Sequence, residues 1–167
     1  MKVMPALCLD LDGTIRYSKR GIYAKKPEDY AIFPTVEEII WDFKKKGFLI
    51  CGVTNQGGVA FGHKTPKDNE RELEFTRSLF EKDPFDMIQY AYCMEGGKIL
   101  EYSYRSLLRK PYIGMLVKCE IEAKKQEIII DWNKSILVGD METDKLCAEN
   151  AKIKFFWAKD FFHLEDI

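Results

Sequence analysis

The chain has 167 residues, with 26 Lys and Arg against 27 Asp and Glu and a formal net charge of −1. That length suits one domain with a real core, since a chain of this size buries about 68–70% of its unfolded surface. Hydrophobic residues at 46% and aromatic residues at 13% exclude intrinsic disorder, and the charge balance excludes a polycation or an acidic tail.

The five cysteines, Cys8, Cys51, Cys93, Cys119 and Cys147, are scattered, odd in number and form no C-x-x-C pair. Neither a disulfide framework nor a four-Cys zinc site is expected, and a buried small hydrophobe is the better reading of several of them. Met1–Leu9 is too short for a secretory segment before Asp10 interrupts it. No apolar run approaches the roughly 20 residues that span a bilayer. The expectation is a soluble cytoplasmic protein with no membrane partner.

In chain order, Ala6–Leu9 reads as a first strand that ends in Asp10-Leu11-Asp12-Gly13-Thr14. A polar, basic stretch at about 15–33 reads as a loop or hairpin. Thr35 with Glu38 has the form of a capping box, and Val36, Ile39, Ile40 and Phe43 mark one face of the helix that follows. Gly47 stops it. Phe48–Val53 reads as a second strand, ending at Thr54-Asn55-Gln56. Thr65-Pro66 opens another helix, with Leu73, Leu79 and Phe80 among its apolar positions. Met87–Cys93 reads as a strand, about 94–109 as an irregular loop, Gly114–Lys125 as a helix and Ser135–Val138 as a strand before Gly139-Asp140. Thr143–Asn150 reads as a short helix, Lys154–Trp157 as a last strand, and the region near Phe161 as a helical turn. Alternating strands and helices predict an α/β fold, a three-layer Rossmann-like sandwich with a central parallel sheet. Ligands of such sheets bind outside the carboxyl ends of the strands. Asp10, Asp12, Thr54 and Asp140 all fall there.

Asp10 and Asp12 repel each other unless a cation or hydrogen-bond donors hold them, and a hard ion such as Mg²⁺ suits their oxygen ligands. Asp140 offers a third carboxylate and Asp144, four residues on, a supporting one. A carboxylate, a metal and a phosphate together suggest nucleophilic catalysis through an aspartyl phosphate, with the second Asp as general acid and then base. Thr54 and Asn55 offer a hydroxyl, an amide and backbone N–H groups to phosphate oxygens. Lys110 in Arg109-Lys110-Pro111 offers a charge for the transferring phosphoryl group. Taken singly, each motif is an ordinary turn or helix cap; their order along one sheet is what carries weight. Gly57–Gly62 is not G-x-G-x-x-G, and Gly97-Lys98-Ile99 lacks the rest of a P-loop.

The ordered set Asp10-Leu11-Asp12-Gly13-Thr14, Thr54-Asn55-Gln56, Arg109-Lys110-Pro111 and Val138-Gly139-Asp140-x-x-x-Asp144 resembles the four motifs of the haloacid dehalogenase (HAD) superfamily. The resemblance is to its phosphatases without a large cap, which include histidinol phosphatases, heptose bisphosphate phosphatases and polynucleotide 3′-phosphatases. It implies Asp10 as nucleophile, Asp12 as general acid/base, and Thr54 and Lys110 as phosphate stabilisers. Mg²⁺ would be held by Asp10, the Asp12 backbone carbonyl and Asp140, with Asp144 in support. Asn55, Gln56 and Arg109 are assigned to substrate binding. Many of the sugar- and histidinol-type enzymes carry a zinc loop before Arg-Lys-Pro. Here Cys93 remains, but Glu95, Ser106 and Leu108 stand at the other ligand positions, and no structural zinc is expected.

The expectation is therefore one domain over 1–167, with a flap at about 15–33 and a loop insertion at about 94–109. The substrate is read as a sugar or other small-metabolite phosphate. Two alternatives stand beside it. One is a polynucleotide 3′-phosphatase that uses Arg16, Lys19, Arg20, Lys25 and Lys26, interleaved with Tyr17 and Tyr23, to grip nucleic acid. The other is a non-catalytic phosphate-binding or phosphoacceptor module. Oligomeric state is not legible in the sequence.

Overall fold

The computed structural model describes residues 1–165. The elements in order are β1 (Lys2–Met4), β2 (Ala6–Leu9), β3 (Arg16–Ser18), β4 (Tyr30–Ile32), α1 (Val36–Lys45), β5 (Leu49–Asn55), α2 (Pro66–Ser78), β6 (Met87–Ala91), α3 (Gly114–Lys125), β7 (Ile128–Ile130), β8 (Ile136–Gly139), α4 (Glu142–Ala151), β9 (Lys154–Trp157) and α5 (Ala158–Phe161). The main sheet has five strands in the order β6-β5-β2-β8-β9, every pairing parallel.

Side chains of a strand alternate between faces, and both faces of this sheet are covered. Ala6 and Cys8 of β2 join Cys51 and Val53 of β5 and pack on Met115, Leu116 and Cys119 of α3 and Cys147 of α4. Leu7 and Leu9 face the other way, with Ile50 and Val138, onto Val36 and Ile40 of α1, Leu73 of α2 and Phe162. All five cysteines are free and buried.

The central strand β2 has β5 on one side and β8 on the other. The chain first builds outward through β5 and β6, then returns to add β8 and β9. This reversal opens a crevice at the carboxyl ends of β2, β5 and β8.

Two short strands were not anticipated. Lys2–Met4 and Ile128–Ile130 form a separate parallel pair in which Val3 lies opposite Ile129. Each is only three residues long, too short for alternation to show. The capping box expected at Thr35 and Glu38 does not form. Thr35 Oγ1 donates instead to the Phe162 carbonyl at 2.5 Å, so a tertiary acceptor takes the hydroxyl. A capping box forms instead at Thr65, where Asp68 N–H donates to Thr65 Oγ1 and Asp68 Oδ2 accepts from Thr65 N–H. Leu79 and Phe80 fall just beyond the end of α2.

Residues 15–33 form the β3–β4 antiparallel hairpin with a connecting loop over the carboxyl edge of the sheet. Asp29 braces that loop. Its Oδ2 accepts from the Lys25 and Lys26 N–H groups, and its carboxylate pairs with Arg20 at 2.9 Å. No helix among the described residues is long and apolar enough to cross a membrane.

Candidate active site

Asp10 leaves the end of β2, its N–H donating to the Val138 carbonyl on β8. Lys110, delivered by the loop before α3, sends its ammonium into the same spot and is itself only 2% exposed. Its Nζ donates to Asp10 Oδ1 at 2.8 Å, to Asp144 Oδ1 at 2.5 Å and to the Val53 carbonyl at 2.7 Å. All three donors of the ammonium are thereby used. Asp144 Oδ2 accepts from the N–H groups of Asp140 and Met141 at the start of α4. A carboxylate at a helix N-terminus also complements the helix dipole.

Asp140 completes the cluster. Carboxylate oxygens of Asp10, Asp140 and Asp144 lie within 4.8 Å of one another. Two glycines make this possible. A Cβ on Gly13, which has φ +78, would lie 2.1 Å from Asp140 Oδ2, and a Cβ on Gly139 would lie 2.3 Å from Asp144 Cγ.

Three acids here face one ammonium. Burial pushes the Asp10 carboxyl well above its ordinary range; Lys110 opposes this, and the neighbouring Asp144 and Asp140 add to it. Asp140 is likewise raised, by burial and by Asp144, against a hydrogen bond it shares with Asp10. A site of oxygen ligands with more negative than positive charge fits a hard divalent cation. Asp10 and Asp140 are the acids best placed to hold one, because Asp144 is already spent on Lys110 and two N–H groups.

The Asp12 carboxylate does not join that cluster. It turns toward Arg16, which meets it with two nitrogens, Nε to Oδ1 at 2.8 Å and Nη2 to Oδ2 at 3.3 Å. Gln56 Nε2 adds a third donor to Oδ2 at 2.9 Å. Burial by the surrounding protein raises the Asp12 pKa, but the charge and hydrogen bonds of Arg16, with Gln56 and Lys64, outweigh it and leave the carboxyl below its ordinary range. Asp12 stays open to the crevice, its side chain 47% exposed.

Thr54 is buried, and its Oγ1 accepts from Gln56 Nε2 at 2.7 Å. The side chains of Asn55 and Gln56, assigned from the sequence to substrate, are engaged elsewhere. The Asn55 amide clamps the Lys110 backbone, accepting from its N–H at 3.0 Å and donating to its C=O at 3.1 Å. Gln56 bridges Thr54 and Asp12, while its Oε1 accepts from Lys64 Nζ, which also pairs with Glu72. Arg109 differs. Its Nη1 is buried without a hydrogen-bond partner, alone in this among the described side-chain nitrogens and oxygens. It lies over Gly57, where a Cβ would come within 3.0 Å of it. A buried donor of this kind is suited to an anionic acceptor.

From Asp12 and Gly13 a cavity of about 990 Å³ runs outward between the hairpin loop (Gly21–Pro27) and Gly57, Gly58, Lys64 and Arg71. Of the basic residues expected to grip nucleic acid, Arg16 is fully buried beneath this cavity and Arg20 is tied to Asp29. The pairing of Arg16 with Asp12 was not anticipated, although the four-residue spacing between them was a signal. Lys64, just before α2, and Glu72 within it line the site, and they gave no comparable signal because their contacts are tertiary.

Residues 6–162 match the family described as polynucleotide kinase 3 phosphatase. The chain belongs to this family of HAD phosphatases. It is similar to D-glycero-beta-D-manno-heptose-1,7-bisphosphate 7-phosphatase of Escherichia coli K12, with 31% identity covering 91% of this chain and 77% of the relative. The enzyme of the same name from Helicobacter pylori 26695 is 29% identical over 92% of this chain and 83% of its own. Among solved structures, a HAD-like protein of Mesorhizobium loti superposes with a TM-score of 0.77 at 24% identity, covering 92% of this chain and 71% of that one. The D,D-heptose 1,7-bisphosphate phosphatase of B. bronchiseptica, solved with magnesium and phosphate, gives 0.67 at 22% identity, covering 93% and 79%. At these identities the structural likeness is one of fold. This HAD phosphatase is thus an enzyme that hydrolyses phosphate esters.

Proposed function

We propose that this HAD phosphatase is a Mg²⁺-dependent phosphomonoesterase that works through phospho-Asp10 on a sugar phosphate. The observation that carries this reading is the clustering of Asp10, Asp140 and Asp144 at the carboxyl edge of the sheet, with Lys110 bonded to Asp10 and Asp144. Bound Mg²⁺, held by Asp10 and Asp140 with Asp144 in support, supplies positive charge to the phosphoryl oxygens.

The chain's own residues do the rest. An Asp10 oxygen attacks phosphorus and the bond to the leaving oxygen breaks, while Asp12 gives that oxygen a proton. Water then attacks the phosphorus of phospho-Asp10, Asp12 takes its proton, and inorganic phosphate leaves with Asp10 regenerated. Free Asp12 is held ionised by Arg16, and the incoming phosphate dianion opposes that effect and favours the protonated form needed first. Lys110 holds Asp10 in line and neutralises charge on the transferring group. Thr54 lies at the adjoining strand end as a phosphate contact, and Arg109 offers its unpaired nitrogen to an anionic group of the substrate.

The sugar phosphate reading draws on the heptose bisphosphatase relatives; of the hairpin's basic residues Arg16 and Arg20 are paired with Asp12 and Asp29, while Lys25 and Lys26 line the cavity and keep the oligonucleotide arm of the test necessary. The test is a panel of sugar mono- and bisphosphates beside an oligonucleotide 3′-phosphate, each with Mg²⁺ and with chelator. Release of phosphate from the sugars, abolished by chelator and by Asp10→Asn, is expected. Preference for the oligonucleotide, with a rate falling steeply as salt rises, would replace the sugar reading.

A further inference from the structure

Arg16 is the largest fully enclosed side chain among the described residues, at 0% exposure. A buried guanidinium costs free energy unless its donors are matched. Here they are matched mostly by one side chain. Nε and Nη2 go to the two oxygens of Asp12, Nη1 donates to Thr76 Oγ1 on α2 at 2.8 Å, and Cζ lies 4.0 Å from the centre of the Tyr30 ring on β4. The backbone repeats the link, since the Arg16 carbonyl accepts from Gly13 N–H at 2.9 Å. Asp12 itself stands at the mouth of the cavity, where a short side chain in a Gly-Thr turn would otherwise sample several rotamers.

We infer that Arg16 is a positioning residue: it fixes the Asp12 carboxylate in the orientation from which it passes a proton to the leaving oxygen. The inference rests on the role given above to Asp12. A purely structural role, tying the hairpin to α2, explains the contact with Thr76 but not why two of three nitrogens are spent on a carboxylate that faces the cavity. An ion pair whose carboxylate is half exposed is also a weak stabiliser. The fork geometry matters, because a lysine keeps the charge but cannot engage both oxygens in one plane.

The test uses kcat/KM, which reports transfer to Asp10, for 4-nitrophenyl phosphate and phenyl phosphate with Mg²⁺. The first leaving group departs readily without a proton and the second depends on one. General-acid help is worth about 10²–10⁴-fold, so disordering Asp12 widens the preference for the nitrophenyl ester. Arg16→Lys is expected to raise that ratio by about tenfold or more. Thr76→Val, which keeps Arg16 but removes its outer anchor, raises it by a smaller factor and decides the matter if Arg16→Lys does not fold by circular dichroism. Asp12→Asn is run in parallel. A ratio unchanged in Asp12→Asn means that the proton-transfer role of Asp12 is wrong. A ratio raised in Asp12→Asn but unchanged in both other variants, with both esters slowed equally, overturns the positioning role alone.

Discussion

Lys110 Nζ lies 2.8 Å from Asp10 Oδ1 across a hundred residues of sequence. The same ammonium reaches Asp144 and the Val53 carbonyl, so β2, β5 and α4 are joined through one charge. Among the described residues this charge is the one cation bonded within the cluster of three acids. Lys110→Met therefore leaves two buried carboxylates without their partner. Breaking a buried pair in this way costs about 3–5 kcal/mol. Urea unfolding of the metal-free protein is expected to show a loss of that order, and phosphatase assays a fall in kcat of at least about 10²-fold, as for the removal of one transition-state donor.

The acid cluster also sets a pH dependence. Asp10 and Asp140 titrate above their ordinary value near 3.8. Between that value and the raised one, the folded protein holds protons that the unfolded chain has released. Stability of the metal-free protein therefore falls as pH rises through the window. Mg²⁺ competes with those protons. The rise in melting temperature on adding Mg²⁺ is expected to be larger at neutral pH than at about pH 5. An equal rise at both would detach the cation from these acids.

Gly139→Ala tests the placement of Asp144. The added methyl group would meet Asp144 Cγ at 2.3 Å, against a side chain locked by Lys110 and two N–H groups. Displacement of a supporting group by about 1 Å is worth roughly 10²-fold in rate. Activity should fall by about that factor, with weaker stabilisation by Mg²⁺ in thermal melts.

Asn55→Leu separates positioning from contact. Asn55 holds both backbone groups of Lys110 through its oxygen and one of its two N–H donors. The leucine leaves those groups unpaired, at about 1–3 kcal/mol of stability. Steady-state kinetics should show a fall in kcat with KM little changed, whereas a direct substrate contact would raise KM.

Much of the fold was legible because buried parallel strands announce themselves as apolar runs. Ala6–Leu9 and Lys154–Trp157 were read with their observed bounds, and so was the helix Gly114–Lys125. The acids at strand ends were legible for the same reason, since polar residues that interrupt such runs stand out. The short pair β1 and β7 was not, because three residues carry no period. Thr35 looked like a cap because its true acceptor, Phe162, lies far along the chain. Within the site, residue type alone did not show which neighbours each polar side chain would hold. Asn55, Gln56 and Arg16 all have donors suited to phosphate, and each spends them on a neighbour: the Lys110 backbone, Thr54 and Asp12, or Asp12 and Thr76.

The covalent role of Asp10 is tested most directly by trapping. The enzyme is mixed with substrate and Mg²⁺, quenched in acid and reduced with borohydride, which converts an acyl phosphate to an alcohol. The peptide spanning residues 6–16 is then sequenced by mass spectrometry. Homoserine at position 10, absent without substrate and absent in Asp10→Asn, is the predicted result. Homoserine at position 12, or full turnover by Asp10→Asn, would contradict it.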